Sequence, residues 1–171
     1  GAGIDLINTG SGTDTVNITS TTYASDTLNG GADSDTLAIT GGGTVNMNSA
    51  TISGFENVSI NNGAVSANVF TANTDALAIS VTGGNVGATI NLGATGTQNV
   101  TITGTGNDTV ALGSGNNNVN TGGGSDTVTG TVQLGDQVDL DADNDSFAYQ
   151  TLAGDVLGGA GTDTITIASG A

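Results

Sequence analysis

Six residue types are missing from this 171-residue chain: Lys, Arg, His, Cys, Pro and Trp. Without Lys or Arg nothing can pair with phosphate, so nucleic acid is excluded as a partner. Attraction to an anionic membrane surface is excluded for the same reason. No apolar run reaches the roughly 18 residues that spanning a bilayer requires, so direct membrane insertion is not expected. Without Cys there are no disulfides and no thiolate metal site. There is no imidazole to move a proton, no amine for a Schiff base and no cation to hold an oxyanion. A two-carboxylate glycosidase could use the groups that remain. Such sites stack sugars on aromatic walls, however, and the aromatics here are five scattered residues, Tyr23, Phe55, Phe70, Phe147 and Tyr149. The chain is not expected to be an enzyme. It also lacks an initiator Met and a signal sequence and begins inside a motif, so it reads as a segment of something longer.

What is present is Gly, at 30 residues, with abundant Thr and Asn and 16 acidic residues, all Asp except Glu56; the net charge is −16. High Gly, high charge and few aromatics are the composition of a disordered chain. Against disorder stands a regular supply of Val, Ile and Leu in short alternating runs. These are Val45-Asn46-Met47, Val58-Ser59-Ile60, Leu77-Ala78-Ile79-Ser80-Val81, Ile90-Asn91-Leu92, Val100-Thr101-Ile102 and Val110-Ala111-Leu112. The period is two, the apolar residues are mostly β-branched and the turns between them are Gly-rich, which predicts short strands in a repeat architecture.

The repeat is found by measuring between acids. Asp5 to Asp14 is nine residues, Asp26 to Asp35 nine, Asp136 to Asp145 nine, and Asp145 to Asp163 eighteen; Asp108, Asn117 and Asp126 are nine apart in series. The contexts agree: TGTGNDTVA (103–111), LGSGNNNVN (112–120), TGGGSDTVT (121–129) and GGAGTDTIT (158–166), with GAGIDLIN running into TGSGTDTVN (1–17) and GGADSDTLA at 30–38. These segments resemble the nonapeptide of the repeats-in-toxin (RTX) family, G-G-x-G-x-D-x-U-x, where U is a large apolar residue. The departures are Asn117 for an Asp, Asp33 where a Gly is usual, and a one-residue slip between Asp126 and Asp136.

The spacing has a physical logic. In each nine, three residues make a strand whose U side chain (Val110, Val119, Val128, Ile165) points inward, and six make a tight turn in which Gly supplies φ > 0. Two nines make one coil of a flattened parallel β-roll, so alternate turns stack on the same edge, roughly 4.8 Å apart. Stacked carboxylates at that distance repel unless a cation lies between them. Carboxylates with turn carbonyls form an all-oxygen donor set that suits Ca²⁺ better than Mg²⁺. The pairs expected to bind are Asp108 with Asp126 and Asp145 with Asp163. Asp5, Asp14, Asp26, Asp33 and Asp35 are expected ligands without assigned partners. Asp136 and Asp143 complete the set with Asn117, whose single neutral oxygen weakens its edge. The run Asp136, Asp139, Asp141, Asp143, Asp145 starts like an EF-hand loop but has Asn144 where Gly and Gln150 where Glu belong. It has two readings: a solvated acidic loop bridging a slip in the solenoid, or a calcium role for Asp139, Asp141 and Asp143.

Between the acidic blocks the chain changes character. Residues 36–102 hold only Glu56 and Asp75. Alternating strands continue, with neutral turns such as ITGGGT and VTGGN, and Phe55 and Phe70 are expected to fill or cap the core. The expectation is an all-β chain: a parallel β-solenoid with calcium-binding RTX turns at 1–38 and a calcium-binding β-roll at 103–171, flanking a metal-free solenoid stretch at 39–102. A small sandwich inserted between two rolls is the alternative. The order of RTX turns, TLNGGADSDTLAI, GFENVSI, a neutral Thr/Asn-rich stretch and further RTX turns resembles the calcium-binding surface-layer (S-layer) proteins of Gram-negative bacteria. That resemblance implies type I secretion, a place at the cell surface, calcium as the cofactor and copies of the same chain as partners. The alternative function is a calcium-folded spacer module within a larger secreted RTX adhesin or enzyme.

Overall fold

A computed structural model describes residues 3–19, 26–40, 43–47, 51–61, 67–71, 77–82, 87–92 and 96–167. All regular structure in these residues is strand, and every strand pairing is parallel. Eight strands form one long sheet: Thr15–Ile18, Thr36–Thr40, Asn57–Asn61, Leu77–Thr82, Gln98–Ile102, Asn117–Asn120, Gln137–Asp139 and Asp155–Leu157. Seven form a second: Gly43–Met47, Ala67–Thr71, Thr89–Leu92, Thr109–Ala111, Thr127–Val132, Ser146–Leu152 and Thr164–Ile167. A third sheet of Leu6–Asn8, Thr27–Asn29 and Ile52–Ser53 lies at the N-terminal end. The chain passes from sheet to sheet and advances one strand per coil, which makes a parallel β-solenoid. Apart from Ile52–Ser53 in the third sheet, the strands of the neutral segment occupy the same two long sheets as those on either side, so no sandwich is inserted.

The core follows from the alternation read in the sequence. In the eight-stranded sheet Val16, Leu37, Val58, Ile79, Val100, Val119 and Val138 stand in register, all pointing inward and buried. The facing column runs Ile90, Val110, Val128, Phe147. Each such side chain contributes about 1.5–3 kcal/mol when fully buried. Phe55 fills the core as expected, at 1 % exposure; the side chain of Phe70 lies outside the described residues. Phe147 packs on Tyr149 with ring centroids 5.3 Å apart.

Two expectations are corrected and a third is qualified. The coil is not uniformly two nines. Thr109 pairs with Thr127, 18 residues on, but Asp14 bonds to Asp35, 21 residues on. The longer coils belong to the N-terminal and neutral parts, whose turns exceed the nonapeptide. The slip near residue 130 is not bridged by the acidic run. The register shifts between Gly130 and Val132, and the chain then closes a tight turn in which the Asp136 N–H donates to the Gln133 carbonyl at 3.0 Å. The acidic run is itself an in-phase turn, with Ala142 bridging Gly123 on one side and Ala160 on the other. Lastly, Ile165 stands in register with Phe147 on the inward face, as expected, but is not covered there. It is 48 % exposed, because Thr164–Ile167 is the edge strand of its sheet.

Turn stacking also explains the glycines. Gly124 has φ +119°, and a Cβ there would fall on the Gly106 carbonyl of the preceding coil. Three positions usually held by Gly carry Asp instead: Asp33 at φ 82°, Asp141 at φ 67° and Asp143 at φ 84°. Asp tolerates this region better than most side chains because its short polar group bonds locally.

Candidate metal centres

The residue that opens each strand sits at the end of a turn, so these residues line up along the edges of the solenoid. On the back edge, where the chain enters the seven-stranded sheet, the order is Ala88, Asp108, Asp126, Asp145, Asp163. Backbone N–H groups tie this row together: Ala88 donates to Asp108 Oδ1, Asp108 to Asp126 Oδ1 at 2.7 Å, Asp126 to Asp145 Oδ1 at 2.8 Å and Asp145 to Asp163 Oδ1 at 3.1 Å. The two pairs expected from the sequence are therefore one continuous row of four carboxylates.

On the front edge, leading into the eight-stranded sheet, Asp14 N–H donates to Asp35 Oδ1 at 2.8 Å and Asp35 N–H to Glu56 Oε2 at 2.9 Å. A third edge pairs Asp5 with Asp26, whose Oδ1 accepts the Asp5 N–H at 2.9 Å. The N-terminal acids thus find the partners that a nine-residue spacing could not supply. Glu56 was missed as a row member. The signal was present in the sequence, since Asp14, Asp35 and Glu56 recur at the 21-residue coil length.

In Asp26, Asp35, Glu56, Asp108, Asp126, Asp145 and Asp163 one oxygen accepts a backbone N–H from the preceding coil. The second oxygens of Asp14, Asp35, Asp108, Asp126 and Asp145 are buried with no hydrogen-bond partner. Near Asp126 the Thr121 hydroxyl gives its proton to the Leu140 carbonyl instead, at 3.0 Å. Burial pushes the Asp126 carboxyl up to about 6, against the lowering effect of the Asp108 N–H and with help from the charges of Asp108 and Asp145. Burial likewise raises Asp108, opposed by the Ala88 N–H. It also raises Asp145, opposed by the Asp126 N–H and reinforced by the charges of Asp163, Asp143 and Asp141.

A buried carboxylate oxygen without a partner costs several kcal/mol unless a counter-charge reaches it. This chain has no cationic side chain to supply one. The donor set is all oxygen, which fits a hard cation of the calcium type. No three carboxylates among the described residues cluster closely enough to hold a metal alone. An ion held here would have to draw on carboxylates of neighbouring coils together with turn carbonyls.

The remaining expected ligands stand apart from the rows. Asp33 and Asp143 are exposed, and their Oδ2 atoms accept N–H groups of the preceding coil, from Gly12 at 3.1 Å and Gly124 at 3.2 Å. Asp139 accepts the Asp141 N–H at 3.2 Å on the surface. Asn117 and Asp136 lie on the front edge, buried, and both are engaged by protein groups. Asp75, expected to play no part, lies outside the described residues.

No curated relative and no solved structure matches the chain. A family model, the RTX calcium-binding nonapeptide repeat, matches residues 1–17, 21–38 and 96–131 in four copies. The match stops short of Asp145 and Asp163, which the fold stacks on the same row as Asp108 and Asp126. The chain carries RTX calcium-binding repeats wound into a parallel β-solenoid.

Proposed function

We propose that this is a non-catalytic, extracellular structural protein that folds on binding calcium and then associates with copies of itself into a surface layer or filament. The observation that carries the reading is the row of buried, unpartnered carboxylate oxygens in a chain with no cationic side chain. Binding confined to the folded state makes metal affinity part of folding stability. Calcium is scarce in the cytosol and plentiful outside, so such a chain stays expanded by its own charge until export and folds on arrival at the cell surface. Residues 1–38 together with Glu56, and residues 103–171, are the calcium-dependent parts, and the rest of 39–102 the part that holds without metal.

Ile4 and Leu6 on the first described coil and Ile165 and Ile167 on the last are exposed, and such open strand edges can take either a second copy or a further coil of the same chain. Strand edges of this kind accept further strands, and the acidic surface keeps copies apart until cations screen it. The same edges would serve a spacer module inside a larger adhesin or enzyme, where neighbouring coils of one chain cover them. Circular dichroism with and without chelator tests the folding step; a β spectrum unchanged by chelator would refute it. Light scattering against calcium concentration tests association. Two steps, folding then growth, are expected for the layer, whereas a folded monomer at millimolar calcium supports the spacer.

A further inference from the structure

The two edges of the C-terminal roll satisfy their carboxyl and amide groups in different ways. On the back edge Asp108, Asp126 and Asp145 each keep one buried oxygen without a partner. On the front edge of the same coils the positions are Asn117 and Asp136, each 1 % exposed. The Asn117 Nδ2 turns into its own turn and donates to the Gly115 carbonyl at 3.1 Å and the Gly113 carbonyl at 3.5 Å. The opposite amide orientation would set Oδ1 against two carbonyl oxygens with no proton between them. Asp136 has both oxygens engaged: one accepts the Asn117 N–H and the other the Gln133 N–H, each at 2.5 Å.

We infer that the cation row of the C-terminal roll is one-sided: the Asn117 amide stands where a cation would and closes the front edge without metal, while ions line the back edge only. The inference rests on the calcium reading proposed above and adds to it which turns are left out. A side-chain NH₂ offers two donors, and a turn whose carbonyls converge can be held by those donors as well as by an ion. The Asn117 Oδ1 is left over, buried and unpartnered. In the back-edge row the equivalent oxygen receives an N–H from the preceding coil. Here the Gln98 N–H goes to the Asn116 carbonyl at 3.2 Å instead. A single neutral oxygen costs about 1–3 kcal/mol in this state, far less than an uncompensated charge, so it creates no comparable demand for a cation. Asp136 carries a charge, but two N–H donors answer it, and its second oxygen holds the tight turn that absorbs the extra residue near Gly130.

The test is a count of bound ions on the 171-residue chain, by calorimetric titration with calcium and by terbium luminescence, in three variants. Asp136→Asn should bind as many ions as wild type. Asn117→Asp replaces the donors with a carboxylate facing the Gly113 and Gly115 carbonyls; it should bind one ion more and depend more steeply on calcium for its β signal. Asp126→Asn, on the back edge, should bind fewer. An Asp136→Asn chain short of an ion overturns the one-sided row, as does an Asn117→Asp chain that folds without gaining one. Should Asn117→Asp fail to fold, the Asp136→Asn count decides. If wild type binds no ion, or Asp126→Asn binds as many as wild type, the calcium reading itself is what fails.

Discussion

Asp126→Asn changes one atom in the middle of the back-edge row, and its effect on stability should reverse sign with calcium. Without calcium the ionised carboxylate is a burden. Burial raises it to about 6 from an ordinary 3.8, about two pH units, which corresponds to ~3 kcal/mol of strain on the charged form at neutral pH. Asn keeps an oxygen for the Asp108 N–H, which now sits 2.7 Å from Oδ1. Its amide can turn toward the carbonyls of its own turn, as Asn117 does with Gly113 and Gly115. In chelator the variant should therefore be more stable than wild type by ~1–3 kcal/mol.

With calcium present the balance turns over. An ion present at a hundred times its dissociation constant adds about 2.7 kcal/mol to the folded state, and that gain is lost with the site. Asp126 is bonded to neighbours on both sides, Asp108 and Asp145, so on the proposed reading it would serve an ion on each side. The variant should fall below wild type by ~2 kcal/mol or more in millimolar calcium. Thermal unfolding followed by circular dichroism, in chelator and in calcium, reads both signs; sucrose added to every sample lifts a weakly folded apo chain into range. A variant that is less stable in both solutions, or more stable in both, refutes the argument, because each term is tied to the presence or absence of a counter-ion at that oxygen.

Three further outcomes are expected. The calcium-free chain should gain structure on acidification: the raised carboxyls, led by Asp126 at about 6, contribute stability that is complete below the ordinary 3.8 and lost as pH rises through about 6. A far-ultraviolet pH titration in chelator checks this, and a β signal that falls monotonically from pH 7 to 4 contradicts it. Phe147→Ala empties the last fully buried position of the facing column and should cost about 3–5 kcal/mol in calcium, measured by urea unfolding. Glu56→Gln keeps an acceptor for the Asp35 N–H but removes the charge at the end of the front-edge row; it should weaken calcium binding at Asp14 and Asp35 several-fold while leaving the back-edge row unchanged, as resolved by two-phase terbium titration.

The coil direction, the inward columns and the back-edge row were legible in the sequence because one period carries them all. Nine residues link a turn Asp to an apolar residue two positions later, so finding Asp108 and Asp126 also places Val110 and Val128. The period failed where the turn length changed. Asp14 and Asp35 stack at 21 residues, a spacing that competes with nine only once a third member, Glu56, is counted. The fate of Asn117 and Asp136 was not legible either. Both occupy the ligand position of their nonapeptides, and their difference from Asp126 lies in which way an amide faces and in a tight turn made by an inserted residue. Asp33 and Asp143 mark the same limit: the spacing shows acids, but only the left-handed backbone carries their carboxylates out to the Gly12 and Gly124 N–H groups of the neighbouring turn.

The placement of the rows bears on how such a chain can be held unfolded and then folded. The front-edge row of Asp14, Asp35 and Glu56 lies at the N-terminal end, and the back-edge row from Asp108 to Asp163 at the other. The coil between them opens its strands with Leu77 and Ala88, both buried and neutral. No repulsion has to be cancelled there, and its strands Leu77–Thr82 and Thr89–Leu92 pair on both sides with strands of neighbouring coils. Each row therefore has a charge-free template next to it, to which a coil can be added once its ions arrive. Parallel coils gain their hydrogen bonds only against an existing neighbour, and the first coil is the costly one because its loop closure precedes any pairing. On the calcium reading proposed above, keeping that coil neutral would place the nucleus where calcium is not needed and reserve the calcium requirement for growth in both directions. In a chain with no proline, no disulfide and no cationic side chain, the supply of ions would then control how far the solenoid extends.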